Sequence, residues 1–390
     1  MTSDSNNLTP PGQVLPELAR IFAFYSVEPV RKGRIVSGTL LPGLRPDSPE
    51  IREMLADWEG SHAIRKGAFG YEMLLFQAAP RRERWWLHIL LFAATLFSTV
   101  VAGSLLSGQQ PVQFIALRLF DGWWMPVPVG IDLRQLPAGL PFGLTLVGIL
   151  TLHEAGHYFA ARHYRISVTP PFFIPFPPYI SVIGTLGAFI RLRSPVLSRR
   201  QLLDVGVAGP LMSFFVSLPI LWWGLVHSRI LNVTSELPGL FLVRFAGSEV
   251  FWLGGSPILL VMTRILLGFP GAGQVLELHP VAFAGWLGLF VTALNLLPIS
   301  QLDGGHILYA VVGQRQRALA WTFFLALIPL GFLWAGWWVW AALVFAVGRG
   351  RVQHPPLFDA RDGLNRQRTY VGLATAILFL LCFVPVPFRI

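Results

Sequence analysis

Long apolar blocks, separated by clusters of arginine, are the feature that most restricts the fold of this chain. Of its 390 residues, 54% are hydrophobic and only 13% are charged, whereas a soluble protein typically carries about a quarter of charged residues. A helix of about 20 apolar residues is long enough to cross a bilayer. The pattern therefore predicts a polytopic membrane protein and disfavours a single large soluble core.

The positive charge is placed beside the apolar blocks. The formal net charge is +10, and the arginines lie in short clusters that flank apolar runs, as membrane boundaries do under the positive-inside rule. This placement argues against nucleic acid as a partner and for the lipid bilayer. The one cysteine, Cys382, excludes a disulfide within the chain and a cysteine-based metal site. The clusters are Arg81, Arg82 and Arg84; Arg191, Arg193, Arg199 and Arg200; and Arg361, Arg366 and Arg368.

The apolar blocks predict about seven or eight transmembrane helices. The block at 256–269 is short and contains Arg264, so an interfacial or re-entrant position is expected for it. The block at 318–347 is flanked by arginines at both ends, which favours two short helices over one. The remaining helices are predicted at about 87–107, 140–163, 203–225, 280–300 and 371–386.

Residues 1–82 differ from the rest and predict a small soluble α+β domain, with residues 83–390 as the transmembrane domain. Residues 1–80 hold nine of the 20 acidic residues. A strand is expected at 33–41, a helix at 48–61 with Ser48 as its N-cap, and one or two strands at 62–78. The first 30 residues lack a continuous apolar core and contain acids. We therefore expect neither a signal peptide nor a transit peptide, and a bacterial plasma membrane as the setting.

Residues 166–195 are apolar but contain five prolines between Pro170 and Pro178. No uninterrupted helix tolerates that density of proline. Irregular backbone at membrane depth persists only where it is buried in protein or lines a cavity. We therefore predict a re-entrant β-hairpin, which completes the predicted fold: an all-α polytopic membrane protein with this hairpin and a small N-terminal α+β domain.

The sequence "HEAGH" lies near the end of the predicted helix 140–163. His153 and His157 are four residues apart and share one helix face, where two imidazoles can bind one metal ion. Zinc lowers the pKa of a coordinated water to about 7, and Glu154 is placed to take its proton. The alternative is that these side chains only form hydrogen bonds or ion pairs between helices. Three ionisable groups at this spacing within an apolar helix favour a catalytic metal site.

A catalytic zinc needs a third protein ligand, and Asp303 in "LDGG" is our candidate. Gly304 and Gly305 let the backbone approach the site closely. The alternatives are a turn-forming aspartate and His306 as the ligand. Asn295, near the end of the preceding apolar helix, is a candidate to donate to an oxyanion or to the substrate backbone, or to form an interhelical hydrogen bond.

The two motifs together resemble the site-2 protease family of intramembrane metalloproteases. That family carries H-E-x-x-H and then N-x-x-P-x-x-x-L-D-G, and "HEAGH" followed by "NLLPISQLDGG" fits both over at least residues 140–306. The soluble region running into "RWW" and the stretch "PPFFIPFP…GTLGAFI" resemble the branch named for ethylene-dependent gravitropism-deficient and yellow-green proteins. The residues that fit the second motif are Asn295, Pro298, Leu302, Asp303 and Gly304.

The resemblance implies one zinc ion held by His153, His157 and Asp303, with Glu154 as the catalytic base and Asn295 beside it. It also implies a membrane-embedded strand that pairs with an unwound transmembrane substrate. The expected activity is that of a zinc-dependent intramembrane endopeptidase with its active site toward the cytoplasmic side. The alternatives are a zinc-binding scaffold without protease activity, a transporter, or a structural subunit of a membrane complex. The substrate-binding strand is expected at Gly184, Thr185, Leu186 and Gly187.

Overall fold

The computed structural model of the chain describes residues 18–389, except residues 31, 80–81, 121–122, 234–238, 247–248, 269, 272, 300 and 360–362. The described part of the N-terminal region is an antiparallel four-stranded sheet with one helix. Ser48 precedes the helix as expected, but its hydroxyl accepts a hydrogen bond from the backbone N–H of Arg45 and not from the helix. The elements are β1 (Phe22–Val30), β2 (Gly33–Leu40), α1 (Pro49–Asp57), β3 (Ser61–Gly67) and β4 (Gly70–Ala78), in the sheet order β1-β2-β4-β3.

The remainder is organised around apolar helices. Within the described part of the chain, four helical segments are long and apolar enough to cross a membrane: Trp85–Leu106, Leu133–His163, Arg199–Val226 and Asp303–Leu333. The predicted 140–163 helix has those bounds, and the 318–347 block forms two helices. The helices are α2 (Trp85–Leu106), α3 (Leu140–His163), α4 (Arg199–Val226), α5 (Pro257–Leu267), α6 (Pro280–Leu296), α7 (Asp303–Val312), α8 (Gln316–Leu333), α9 (Gly336–Val347) and α10 (Arg366–Cys382).

The expectation of an all-α membrane region with one β-hairpin is wrong in its strand content, because the described residues between and after these helices form nine strands, seven more than the predicted hairpin. They form two hairpins and one five-stranded sheet of order β13-β11-β10-β12-β9. Several have only four or five residues, and such short apolar runs cannot be told from helix by periodicity. The strands are β5 (Val112–Phe120), β6 (Trp123–Ile131), β7 (Phe172–Pro175), β8 (Thr185–Phe189), β9 (Arg229–Asn232), β10 (Phe241–Phe245), β11 (Glu249–Leu253), β12 (Gln274–Glu277) and β13 (Phe388–Arg389).

The β7–β8 pair is the hairpin expected within residues 166–195. Its strands are antiparallel, with Phe172 opposite Phe189 and Ile174 opposite Gly187. Gly184 joins the hairpin to α2: a Cβ there would lie 2.5 Å from the carbonyl oxygen of Ser98, and the Ser98 hydroxyl donates to the Gly184 carbonyl at 2.6 Å. The hairpin is thus fixed against the first long helix.

Helix α4 begins four residues before its expected start. Asp204 therefore lies beyond the first turn of the helix, away from the positive end of the helix dipole. Its carboxylate instead pairs with Arg368 of α10 at 2.7 Å and accepts a hydrogen bond from the Tyr164 hydroxyl. Asp204 therefore connects α4, α10 and the end of α3.

Arg165 joins the N-terminal sheet domain to the helix that carries "HEAGH". It follows α3 almost directly and has a left-handed φ of 53°. Its Nη1 donates to the carbonyl oxygens of Leu55, Ala56 and Trp58 at 2.7, 3.1 and 2.8 Å. These carbonyls at the end of α1 have no partner within their helix. Burial lowers the pKa of nearby His62, and the charge of Arg165 lowers it further, which favours neutral His62 at this interface.

We expect Arg165→Ala to loosen α1 from the rest of the protein, because the three carbonyls lose their donor. Arg165→Gly should be less damaging by about 1 kcal/mol, since glycine adopts a left-handed φ without penalty. Hydrogen exchange of the α1 amides and the apparent melting temperature would measure both effects. Arg162→Ala is the matched control, because Arg162 is an exposed arginine of the same helix end; equal behaviour of the Arg162 and Arg165 variants would contradict this role.

Candidate metal centre

Helix α3 carries His153, Glu154 and His157 near its C-terminal end. Their exposed fractions are 4%, 6% and 7%, so all three are buried within the protein. The i, i+4 spacing places both imidazoles on one helix face, and their Nε2 atoms lie 3.1 Å apart. Helix α4 leaves space for them at Gly209, where a Cβ would lie 2.1 Å from Nε2 of His157.

Asp303, at the turn between α6 and α7, lies next to the Nε2 atoms of both histidines. Helix α6 ends at Leu296, two residues before Pro298, and Asp303 is the first residue of α7. Gly304 permits the close return of the chain, because a Cβ there would lie 2.0 Å from the carbonyl oxygen of Leu296. Its φ is not left-handed, so the glycine serves close approach and not an unusual turn.

The three donor groups fit a zinc ion. The Asp303 Oδ2 atom lies 3.5 Å from Nε2 of His153 and 3.2 Å from Nε2 of His157. Ligand atoms around tetrahedral zinc are about 3.3 Å apart, because the bonds are about 2.0–2.1 Å long. The candidate ligand atoms all lie within 4.8 Å of one another. Two imidazoles and one carboxylate leave a fourth position open, as in catalytic zinc sites.

The second nitrogen of each imidazole is held by a partner that orients the ring. Nδ1 of His157 donates to the carbonyl oxygen of Val205 at 2.7 Å. Nδ1 of His153 lies 3.1 Å from the Ser213 hydroxyl, which lies 2.7 Å from the Thr292 hydroxyl. Thr292 donates its own proton to the carbonyl of Gly288.

One proton order satisfies every member of this chain. With the Thr292 proton directed to the Gly288 carbonyl, Thr292 can accept from Ser213, and Ser213 can accept from Nδ1–H of His153. Both Nε2 atoms are then left with a lone pair for a metal, the arrangement that outer hydrogen bonds commonly enforce. Sequence reasoning did not identify Ser213, Thr292 or Val205. A serine in an apolar helix usually bonds to its own backbone, so the sequence carried no distinguishing signal.

Asn295 lies beside the donor group. Its Nδ2 is 3.3 Å from Nε2 of His153. The amide of α6 thus contacts a candidate ligand atom on α3. An amide N–H at this position can donate to an oxygen that develops negative charge next to the metal. Both roles considered from the sequence are therefore compatible with one position.

Glu154 lies beside the hairpin. Its carboxylate lies near the backbone N–H of Ile190, the residue that directly follows β8. The glutamate is not part of the group of donor atoms that could hold the metal. It thus lies next to the metal ligands while its carboxylate remains available for proton transfer.

The four residues expected to contact substrate divide into two pairs. Gly184 packs on α2, and Thr185 is 1% exposed, with its hydroxyl donating to the Ile174 carbonyl and accepting from the Gly187 N–H. Leu186 is 61% exposed. Gly187 has a φ of +105° and open space at its Cβ position. Leu186 and Gly187 are therefore the accessible pair, whereas Gly184 and Thr185 stabilise the hairpin.

His306, the rival ligand, points elsewhere. Its ring packs edge-on against His354, with ring centroids 5.0 Å apart. Its Nδ1 has no hydrogen-bond partner among the described residues. His306 is absent from the group of described donor atoms that could share one metal ion.

Two imidazoles and one carboxylate are a donor set of the type that catalytic zinc sites use. The profile of Peptidase family M50 matches residues 141–334, which include "HEAGH" and Asp303. The chain therefore contains a Peptidase M50 domain, the domain of the site-2 proteases. No solved structure matches the chain.

The curated relatives are plant proteins. The probable zinc metalloprotease EGY2, chloroplastic, of Arabidopsis thaliana is 30% identical over 300 residues, 76% of this chain and 49% of the relative. Its counterpart in Oryza sativa subsp. indica is 29% identical over the same length, covering 76% and 50%. The probable zinc metalloprotease EGY1, chloroplastic, of Arabidopsis thaliana is 29% identical over 253 residues, covering 64% and 43%. The chain thus spans about half the length of these relatives.

Two substitutions distinguish the candidate third ligands. We expect Asp303→Asn to lower the zinc content of the purified protein, because the carboxylate that faces both histidines loses its charge. His306→Ala should keep its zinc, because His306 lies outside the donor group. Elemental analysis of the two variants measures the outcome; loss of zinc in the His306 variant but not in the Asp303 variant would overturn the ligand assignment.

Two helix glycines provide a steric test. Gly209→Ala adds a methyl group 2.1 Å from Nε2 of His157, so the ring must move and the zinc content should fall. Gly148→Ala in α3 has no heavy atom within 4 Å of the new methyl and should keep its zinc, with a gain in stability of up to about 1 kcal/mol. Full zinc content in both variants would show that His157 does not need this space.

Proposed function

We propose that the chain is a zinc-dependent intramembrane endopeptidase that cleaves transmembrane segments of other membrane proteins. The observation that carries this proposal is the buried group of two imidazoles and one carboxylate, next to Glu154, at the end of a helix long enough to span a membrane. The names of the relatives as probable zinc metalloproteases support the same metal and chemistry. A metal site that only stabilises the fold would not need a second buried carboxylate beside it.

In this mechanism His153, His157 and Asp303 hold the zinc ion. Bound zinc supplies Lewis acidity, which polarises the scissile carbonyl and acidifies the attacking water. Glu154 takes a proton from that water while the water oxygen bonds to the carbonyl carbon. Asn295 donates to the oxygen that becomes negative. Glu154 then returns the proton to the leaving amine as the carbon–nitrogen bond breaks.

Substrate binding is proposed to use the free edge of β8. A transmembrane helix must unwind before hydrolysis, because its peptide groups are hydrogen-bonded to one another. Among the described strands β8 pairs only with β7, which leaves its other edge to accept an extended segment by β-addition. Leu186 and Gly187 lie on the accessible part of this strand.

The arrangement in the membrane is part of the proposal. We assign residues 1–82 to a soluble domain and 83–390 to the membrane domain. The number of crossings is seven if α6, α9 and α10 cross in addition to the four long segments, and eight if α5 also crosses. Arginines at the "HEAGH" end of α3 and at the start of α4 support a cytoplasmic position for the active site. A bacterial plasma membrane fits this orientation, while the relatives named above are chloroplastic.

Glu154→Gln tests the proposed role of the base. The glutamine has nearly the same size but cannot take a proton, and Glu154 lies outside the donor group. We therefore expect unchanged zinc content and a fall in cleavage by about two to four orders of magnitude. The measurement is zinc analysis together with cleavage of transmembrane peptides by the full-length protein in nanodiscs.

The outcomes separate the alternatives. Cleavage by the Gln variant at the wild-type rate would refute Glu154 as the base. Zinc in both proteins with no cleavage of any transmembrane peptide by either would refute the protease and support a zinc-binding scaffold. Addition and removal of a chelator on the wild-type protein provides the control for metal dependence.

A further inference from the structure

A cavity outside the metal centre is lined by residues from four separate segments, three of which contribute cationic side chains. Its volume is about 530 Å³, and none of the described residues that line it is acidic. The segments are the β1–β2 turn, the residue after Ile190, the α6–α7 turn and the end of α9. The lining residues are Lys32, Arg191, Gln301, Val347, Gly348, Arg349 and Arg351.

The positive charge of this cavity is not compensated from within. In the part of the chain that the structure describes, none of its four cations takes part in an ion pair. All four are exposed. Like charges that converge on one cavity repel each other, and an anion bound between them relieves this repulsion.

Arg349 occupies a backbone conformation that normally favours glycine. Its φ is 51°, in the left-handed region, immediately after the end of α9. This conformation belongs to the C-terminal cap of α9, in which the N–H of Gly350 donates to the Phe345 carbonyl and the N–H of Arg349 donates to the Ala346 carbonyl. The cap thus fixes the backbone from which the Arg349 side chain enters the cavity.

We propose that this cavity binds a phosphate group, and that an anionic phospholipid supplies it. Guanidinium groups bind phosphate oxygens through paired donors, and basic pockets beside transmembrane helices suit lipid headgroups. The rim of the cavity agrees with a lipid: Val347, at the end of the apolar helix α9, is 61% exposed, and Leu343 and Phe345 of the same helix are also exposed. The phosphate would lie among the cations and the acyl chains along α9.

The bound headgroup would contact two segments that lead into the metal centre. Arg191 follows Ile190, which lies near the carboxylate of Glu154. Gln301 precedes Asp303 by two residues. A ligand in this cavity would therefore hold the hairpin, the α6–α7 turn and, through Lys32, the N-terminal sheet at fixed separations.

Binding of short-chain phosphatidylglycerol to the full-length protein in phosphatidylcholine nanodiscs tests the proposal. Arg191→Gln, Arg351→Gln and Arg349→Gly should each weaken binding by about fivefold. The glycine variant keeps the left-handed turn without strain, so its loss reports the missing guanidinium. Arg317→Gln removes an exposed arginine outside the cavity and should bind as the wild type does.

Inorganic phosphate distinguishes the two sources of the ligand. If phosphatidylglycerol binds and inorganic phosphate does not compete, the ligand is a lipid headgroup; if inorganic phosphate competes at similar concentration, the site takes free phosphate. Binding by the three cavity variants equal to that of wild type and of Arg317→Gln would overturn the proposal. The readout does not depend on peptidase activity, so it stays valid if the proposed protease function fails.

Discussion

Ionisable side chains buried among apolar helices need partners inside the protein, because hydrocarbon offers none. His153 meets this constraint through Ser213 and Thr292, which belong to α4 and α6. His157 meets it through a backbone carbonyl of α4. The relative position of three helices is therefore fixed by hydrogen bonds that end at the metal ligands. Any displacement of these helices would leave a buried polar atom unpaired, which costs about 1–3 kcal/mol.

Glycines allow the helices to approach closely enough for these bonds. Cβ atoms at Gly156 and Gly304 would lie 2.5 and 2.0 Å from backbone oxygens of neighbouring segments. A larger residue at either position would push away the backbone that carries a ligand or its support. The small residues thus determine the geometry of the metal centre, whereas the apolar residues around them mainly provide the membrane-compatible surface. The same use of small residues at helix contacts is general in membrane proteins.

Features that depend on the spacing of neighbouring residues were predicted from the sequence. Helix α3 has the predicted bounds. The i, i+4 pair His153 and His157, together with Asp303 in "LDGG", identified the donor group that the structure brings together. Partners that come from packing were not predictable: Ser213 and Thr292 are ordinary hydroxyl residues until α4 and α6 are placed together. The five-stranded sheet was missed because it pairs segments as distant as β11 and β13. Thr185 was expected at a substrate surface, but its hydroxyl stabilises the hairpin.

The hairpin lies between the proposed substrate strand and the proposed catalytic carboxylate. Strand β8 ends at Phe189, and the next residue, Ile190, lies near the carboxylate of Glu154. A substrate segment added along β8 would therefore have its backbone positioned by a strand that ends beside the glutamate. Because α2 fixes the start of β8 through Gly184, the strand cannot slide by one residue without breaking that contact. The register of the substrate relative to the metal ligands would thus be set by the hairpin itself.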